Sequence, residues 1–535
     1  MTITSLSFIL FIFLLWVIYF TLPSRYQWMV LLCASIGFYL CGGVTSILYV
    51  LMTAGSVYLA TVSMQRIAEK NKAFIKENKS TLTREEKKLY KNKSKKQRRR
   101  ILICAIVFNF LLLGIFKYSH FIIDQVNSIM KVCGGGEFHN SFSLIIPLGI
   151  SYYTLQATGY MVDVFWEKTK AEKNFLKVLL FISFFPQITQ GPISEYNYLS
   201  GELFKEHAFT YDNFSRGFQR MVWGFFKKMV VADAFSPYVT TILSGYGKYS
   251  GITCVVGALL YMFQLYADFS GYMDIMCGYC EMLDIRLTEN FNRPYFSKSI
   301  SELWRRWHIS LGAWLRTYVY YPVAVSKWNQ KLSQKLNKTL GEYAAGKIAA
   351  TIPLLFVWSF IGLWHDASWT YLFWGFGNAF FIIVSVWMEP VYDKIKEKLH
   401  IRESVAWYRL FQILRTFVIF TMLEVIAAVT AMGGNGFKYV IRTLTNHTMP
   451  RGLADLFPSQ EGLEGQFIIM LLLAICGLIL MLIVSLVQRK KEVRDYFNKM
   501  PVFLRILIMI GFVIIIASSG VQASWGAGAF MYANF

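Results

Sequence analysis

Two of the seven histidines sit where an ionisable side chain is costly. His308 closes the run Trp304-Arg305-Arg306-Trp307-His308, and His365 lies within Leu363-Trp364-His365-Asp366-Ala367-Ser368-Trp369. An ionisable group at membrane depth usually faces a polar cavity and has a task there. Imidazole is also the side chain best matched to general-base chemistry near neutral pH. The competing reading is a packed histidine that bonds a backbone carbonyl. The other five, His120, His139, His207, His400 and His447, fall near loops or helix ends and read as surface residues. Asp268 and Asp274, in the apolar stretch Tyr261 to Cys280, either line a passage or serve structure, with Gly271 between them permitting close helix packing or a kink. Glu424 lies in another apolar run and has no assigned role. Other chemistries are missing from the sequence. It has no P-loop, no glycine-rich dinucleotide fingerprint, no HExxH and no GxSxG, and its histidines lack carboxylates at metal-ligand spacing. Cys277-Gly-Tyr-Cys280 has CxxC spacing but no βαβ context, so core packing is expected of it.

The elements that must carry these residues are membrane helices. Hydrophobic residues make up 55% of the 535-residue chain, and the mean hydropathy is +0.42. Soluble chains run near 45–50%. Several apolar runs approach or exceed the roughly 18–20 residues that cross a bilayer core, and they are continuous, which marks helices and not barrel strands. Spans are expected near 6–22, 28–42, 44–63, 101–117, 143–163, 218–245, 251–283, 347–364, 368–388, 408–432, 466–487 and 502–520, with a segment at 175–200 broken by Pro186 and Gly191-Pro192. The expected fold is therefore all-α and polytopic, with about eleven or twelve membrane helices in a single domain over 1–535. The first run lacks a basic leader and a clear cleavage site and reads as a retained helix.

The formal charge of +22 is concentrated in short loops, most densely in a basic insertion at about 64–100 that is expected to form a charged cytoplasmic helix or hairpin. That distribution follows the positive-inside rule and argues against nucleic acid as a partner, with contact to anionic membrane lipid as a secondary effect. The spacing of Trp304, His308, Leu311 and Leu315 predicts an amphipathic helix from Trp304 to Tyr321, lying at or dipping from the interface.

The segment Ser301-Glu-Leu-Trp304-Arg-Arg-Trp307-His308-Ile-Ser-Leu-Gly-Ala-Trp314-Leu-Arg316-Thr-Tyr318-Val-Tyr320-Tyr-Pro322, with Gly362-Leu-Trp364-His365-Asp-Ala-Ser-Trp369 about fifty residues on, resembles the signature of the membrane-bound O-acyltransferase (MBOAT) family. The resemblance is strongest to the bacterial branch typified by the alginate O-acetylation membrane protein. Phe185-Pro186-Gln187 with Gln190-Gly191-Pro192-Ile193 is similar to further elements of that branch. So are Trp223-Gly-Phe-Phe-Lys227-Lys228 with Ala232-Asp233, Tyr266-Ala-Asp268-Phe-Ser270-Gly271-Tyr272, and the terminal Phe530-Met-Tyr532-Ala-Asn-Phe535. Asp366 departs from the pattern, standing where a glycine is common.

The resemblance implies re-entrant or interfacial helices around a central tunnel, and acyl transfer from a thioester to a hydroxyl, with no bound cofactor. His365 matches the residue taken as catalytic and His308 a second tunnel position. Asp268, Trp304, Arg305, Arg306, Trp307, Trp364 and Asp366 are the accompanying substrate or tunnel candidates. Acetyl-CoA or another acyl thioester is the implied donor, and a cell-envelope polysaccharide or peptidoglycan the acceptor. An extracytoplasmic SGNH-type partner and a place in the bacterial cytoplasmic membrane are implied as well. Two alternatives stay open. One is D-alanyl transfer to teichoic acid, drawing on a carrier protein. The other is a proton-coupled transporter or flippase, which would favour an internal repeat that the sequence does not show.

Overall fold

The computed structural model describes residues 2–136, 147–458 and 464–523. Helices dominate throughout, and the described residues form no β-strand beyond one isolated bridge between Phe291 and Trp307. Eight of the described helices are long and apolar enough to cross a membrane, which makes this a multi-pass membrane protein. They are Val44–Glu77, Arg84–Lys117, Gly251–Met282, Lys327–His365, Trp369–Lys398, Ala406–Ala431, Ile468–Val487 and Val502–Ser519. The eleven or twelve spans expected from hydropathy exceed this number for a physical reason. Leu6–Thr21, Gln27–Cys41 and Ile150–Phe165 are helical but only 15 or 16 residues long. The region 175–200 breaks into the short helices Phe175–Ser183 and Phe185–Ile188 at the proline. The region 218–245 is helical but passes through a π-helical segment at Phe226–Ala232. His139 and the terminal Phe530–Phe535 motif lie outside the described residues.

The chain falls into two compact units: residues 3–213 with 283–288, and residues 214–282 with 289–535. In the first, Val44–Glu77 and Arg84–Lys117 pack as a long antiparallel hairpin. Its turn ends in a capping box: Thr83 Oγ1 accepts from the Glu86 N–H at 3.2 Å, and Glu86 Oε2 accepts from the Thr83 N–H at 2.8 Å. Two orphan donors of the helix start are met in this way. Residues 64–100 thus lie within a helical hairpin. Nearly every residue of Ile150–Phe165 is buried, so this helix is the axis of the unit. Its Gln156 donates to Gln187 Oε1 at 2.8 Å, and Gln187 in turn donates to Ser194 Oγ at 2.7 Å, which gives the Phe-Pro-Gln element a buried polar job. His207, read from sequence as a surface residue, is buried instead. Its N–H donates to Gln27 Oε1 at 3.0 Å and its Nδ1 lies 3.1 Å from the Asp284 carbonyl. The segment after Leu203 folds back over the start of a helix far away in sequence, a contact no local pattern announces.

In the second unit the Gly251–Met282 helix is the most buried of the spans. It lies against Tyr211–Phe225 and the π-helical turn at very close range. A Cβ on Gly278 would stand 2.5 Å from the Met221 nitrogen and 2.6 Å from the Gly217 carbonyl, and one on Gly224 would stand 2.6 Å from the Gly271 carbonyl. Small residues let membrane helices approach until their backbones touch, where dispersion has its greatest effect. Gly278→Val is therefore expected to destabilise the fold by about 1–3 kcal/mol or more through overpacking. Gly55→Val, in a helix position with nothing within 4 Å of the added carbon, is the control. Thermal melting of both variants in detergent checks this, and equal melting temperatures would count against the close crossing.

Candidate functional site

His365 stands at the tip of a helical hairpin. The Lys327–His365 helix, broken once at Gly341 where φ is 80°, ends as Asp366 turns to extended backbone. Ser368 then caps Trp369–Lys398 by accepting from the Tyr371 N–H at 3.4 Å. The two helices meet closely enough that a Cβ on Gly362 would lie 2.5 Å from the Tyr371 carbonyl. Only 5% of His365 is exposed. Its ring centroid is 5.1 Å from Trp364, 5.2 Å from Trp374 and 6.0 Å from Tyr371, the last nearly parallel at 19°. This aromatic pocket is itself held by polar contacts. Trp374 donates its indole N–H to Glu424 Oε1 at 3.0 Å, which supplies the role that sequence left blank for Glu424. Trp304 donates to Asn378 Oδ1 at 2.9 Å, and Asn378 donates to the Trp374 carbonyl at 3.0 Å. Trp304 also packs on Trp358 and Trp374 at 5.0 and 5.6 Å.

His308 is placed differently from its expectation. The helix predicted over Trp304–Tyr321 does not run through. Ile300–Arg306 stops, Trp307 is extended, and His308 adopts left-handed backbone at φ 47°, ψ 53° before Ile309–Leu315 begins. A non-glycine residue there costs of order 1–3 kcal/mol and needs neighbours to hold it. They are present in the segment Asn290–Asn292. The Asn292 N–H donates to the Arg306 carbonyl at 2.9 Å, and the Ile309 N–H to the Asn290 carbonyl at 3.0 Å. The Ser310 N–H donates to Asn290 Oδ1 at 2.9 Å. Tertiary hydrogen bonds thus override the helical periodicity. Trp307 goes into the core against Phe291, Tyr295 and Phe420. Burial pushes the His308 imidazole down to about 3, so it is neutral at ordinary pH.

The two histidines share one wall. Trp364 packs 5.1 Å from His365 and 6.3 Å from His308, whose other face meets Phe269 edge-on at 5.0 Å. The structure therefore brings together His308, Trp364, His365 and, through Trp374, Trp304. It does not bring in the arginine pair: Arg305 is exposed, and Arg306 pairs with Glu302 at 2.5 Å. Asp366 ends the His365 helix, half-buried, its carbonyl accepting from the Ser368 N–H at 2.9 Å.

Asp268 belongs to a buried ion-pair row behind Phe269. Lys228 Nζ lies 2.7 Å from Asp268 and 2.8 Å from Asp233. One residue earlier, Lys227 lies 2.6 Å from Asp274 and donates to Ser270 at 2.9 Å, while Arg220 bridges Asp274 and Glu289 at 2.9 and 2.6 Å. Adjacent side chains on a regular helix diverge by about 100°. The π-helical turn sits where both lysines must reach one neighbouring helix, a common placement for such turns. The charged groups of two sequence motifs thus neutralise each other. A cavity of about 610 Å³ opens beside this row, lined in part by Arg220, Lys227, Asn290 and Arg293. Neither His308 nor His365 lines it, although Asn290 does and Ile309 follows His308 directly. No group of three or more potential metal ligands occurs among the described residues. Sequence reasoning missed Asn290 and Asn378, the residues that orient the site. An asparagine inside an apolar run was the available signal for Asn378, whereas Asn290 acts only through partners distant in sequence.

Comparison with known proteins bears on what this arrangement does. The model of the membrane-bound O-acyltransferase family matches residues 171–427, which include both histidines and both lysines. The chain is 34% identical to a probable alginate O-acetylase of Pseudomonas syringae pv. tomato over 54% of this chain and 52% of the relative. It is 29% identical to a peptidoglycan O-acetyltransferase of Helicobacter pylori over 60% and 61% of the two chains. It is 27% identical to a teichoic acid D-alanyltransferase of Bacillus subtilis over 52% and 68%. The chain spans about half the length of the alginate O-acetylases that it matches.

Two outcomes follow from this geometry. Lys228→Met removes the cation between two buried carboxylates and is expected to cost about 3–5 kcal/mol, read as loss of monodisperse protein that Lys228→Arg restores in part. His308 is neutral in the fold, while the unfolded imidazole takes a proton below its ordinary 6.5. Its contribution is therefore complete above that pH and is lost as pH falls toward about 3. His308→Gln is expected to flatten the melting temperature over this window, and an unchanged acid slope would count against a buried neutral imidazole.

Proposed function

Residues 171–427 match the model of the membrane-bound O-acyltransferase family, and from that premise we propose that this chain transfers an acetyl group from a cytoplasmic thioester, acetyl-CoA being the simplest, to hydroxyls of an extracytoplasmic polysaccharide or peptidoglycan. The observation that carries the reading is the shared Trp364 wall, which gathers the two histidines of two separate motifs into one buried aromatic site. His365 is the base of choice. His308, held at about 3, is a poor proton acceptor at neutral pH and serves to position the reacting groups. In the step proposed, His365 takes the proton of the acceptor hydroxyl as its oxygen attacks the thioester carbonyl. The carbon–sulfur bond breaks, and the imidazolium returns the proton to the leaving thiolate. General-base help of this kind contributes ~10²–10⁴ in rate. In the alternative form of this step the acceptor is an SGNH-type partner beyond the membrane, which takes the acetyl group onward to the glycan; the bacterial cytoplasmic membrane is the proposed location. The match to teichoic acid D-alanyltransferases keeps D-alanyl transfer as a second reading.

Cells carrying His365→Ala at normal membrane levels are expected to lose ester-linked acetate from the envelope, measured by alkaline release, while His308→Gln loses less. Acetate retained in the His365→Ala cells would overturn the assignment. Release of D-alanine in place of acetate would select the second reading.

A further inference from the structure

The cavity beside the ion-pair row has two unlike ends. One is charged and sits where helices stop: Glu492 and Arg494 follow the end of Glu464–Val487, and Arg293 lies in the loop after Gly251–Met282. The other is apolar and is made by Trp223, Met481, Val484, Met509 and Phe512. Leu480 lies eight residues before Gln488, so the apolar end reaches roughly 12 Å deeper along the helix at 1.5 Å per residue. That is most of one leaflet's hydrocarbon depth. The polarity of the cavity therefore changes along its length in the same sense as a lipid in a bilayer. Its apolar wall comes from Ile468–Val487 and Val502–Ser519, the most hydropathic of the spans and only 28% and 6% buried, so the wall belongs to helices that face the membrane.

The charges at the polar end are unequal. Arg220 and Lys227 are matched by Asp274 and Glu289, and Arg494 by Glu281 and Glu492. Arg293 has no carboxylate within ion-pair distance among the described residues; its side chain reaches only Asn292 Oδ1, at 3.4 Å. Its backbone is left-handed at φ 48°. Burial, together with the nearby Arg306 and Arg489 guanidiniums, holds it below the usual range, as expected of a cation that lacks its anion. Basic pockets between membrane helices near the interface are suited to lipid phosphates.

We propose that this cavity binds an anionic phospholipid, its phosphate against Arg293 and its chains along Trp223, Met481, Val484, Met509 and Phe512. The residues 480–512 that complete it lie beyond the family-matched stretch. The bound lipid would stopper the space beside Asn290 and brace the turn that holds His308.

The test is retention of lipid by the purified full-length chain, read by native mass spectrometry after reconstitution in phosphatidylcholine doped with phosphatidylglycerol. This reading needs no acyl-transfer assay, so it can fail or succeed separately from the proposed activity. Wild type and Arg293→Lys are expected to retain phosphatidylglycerol in preference to phosphatidylcholine. Arg293→Gln, and Met481→Trp at the apolar end, are expected to retain at least about tenfold less, the loss of one charge-assisted contact. Millimolar inorganic phosphate should leave the lipid in place. Wild type with no preference between the two lipids would overturn the proposal without any variant, as would equal retention by folded Arg293→Gln. Displacement of phosphatidylglycerol by coenzyme A would also overturn it and give the cavity to a soluble phosphate donor.

Discussion

A lysine and two carboxylates buried within a membrane protein can persist only together. Lys228, Asp233 and Asp268 meet at 2.7–2.8 Å, and each alone would carry a desolvation penalty of several kcal/mol. Their pairing ties the π-helical turn to the Gly251–Met282 helix and sets that helix's rotation. Phe269, the next residue, then presents its ring to His308. The glycine contacts on the same pair of helices permit the approach, and the ion pairs select the register. The remaining site geometry is built outward from this junction.

The aromatic wall follows the same logic with weaker forces. Indoles and phenyl rings in edge-to-face contact contribute about 0.5–1.5 kcal/mol per pair beyond burial, enough collectively to lock ring orientations. Each indole still needs a partner for its N–H. Glu424 and Asn378 supply those partners to Trp374 and Trp304. A carboxylate in the Ala406–Ala431 helix therefore governs the orientation of a ring against which His365 rests. It acts through the indole N–H that it holds.

The paired turn around His308 shows how a strained residue is kept in place. Asn290 accepts two main-chain N–H donors, one on its carbonyl and one on its side chain, from the two residues after His308. Left-handed backbone also occurs at Arg293, on the paired segment. Two strained non-glycine residues, one on each side of a short paired stretch, indicate geometry held for position and not for stability. The same stretch forms one side of the cavity, so Asn290 links the turn at His308 to the cavity.

Apolar run length determined the membrane-crossing, all-α character, because an unpaired backbone in lipid leaves helix as the sole solution for such continuous runs. The charge density of residues 64–100 set them apart from the apolar runs for a similar reason, since such charges cannot enter the bilayer core. The motifs also named the histidines, since burying an ionisable group demands a reason that composition alone reveals. Helix periodicity misplaced His308 on a continuous helix, because the bonds from Asn290 and Asn292 that break it come from outside any local window. His207 looked like a surface residue until the chain folded over it. Asp268 and Asp274 were visible as out-of-place charges, and Lys227 and Lys228 as part of a motif, but which pairs with which depended on the helix crossing. The meeting of His308 and His365 on Trp364 was likewise decided by tertiary structure alone, since fifty-seven residues of chain separate the two and only packing brings their rings to one wall.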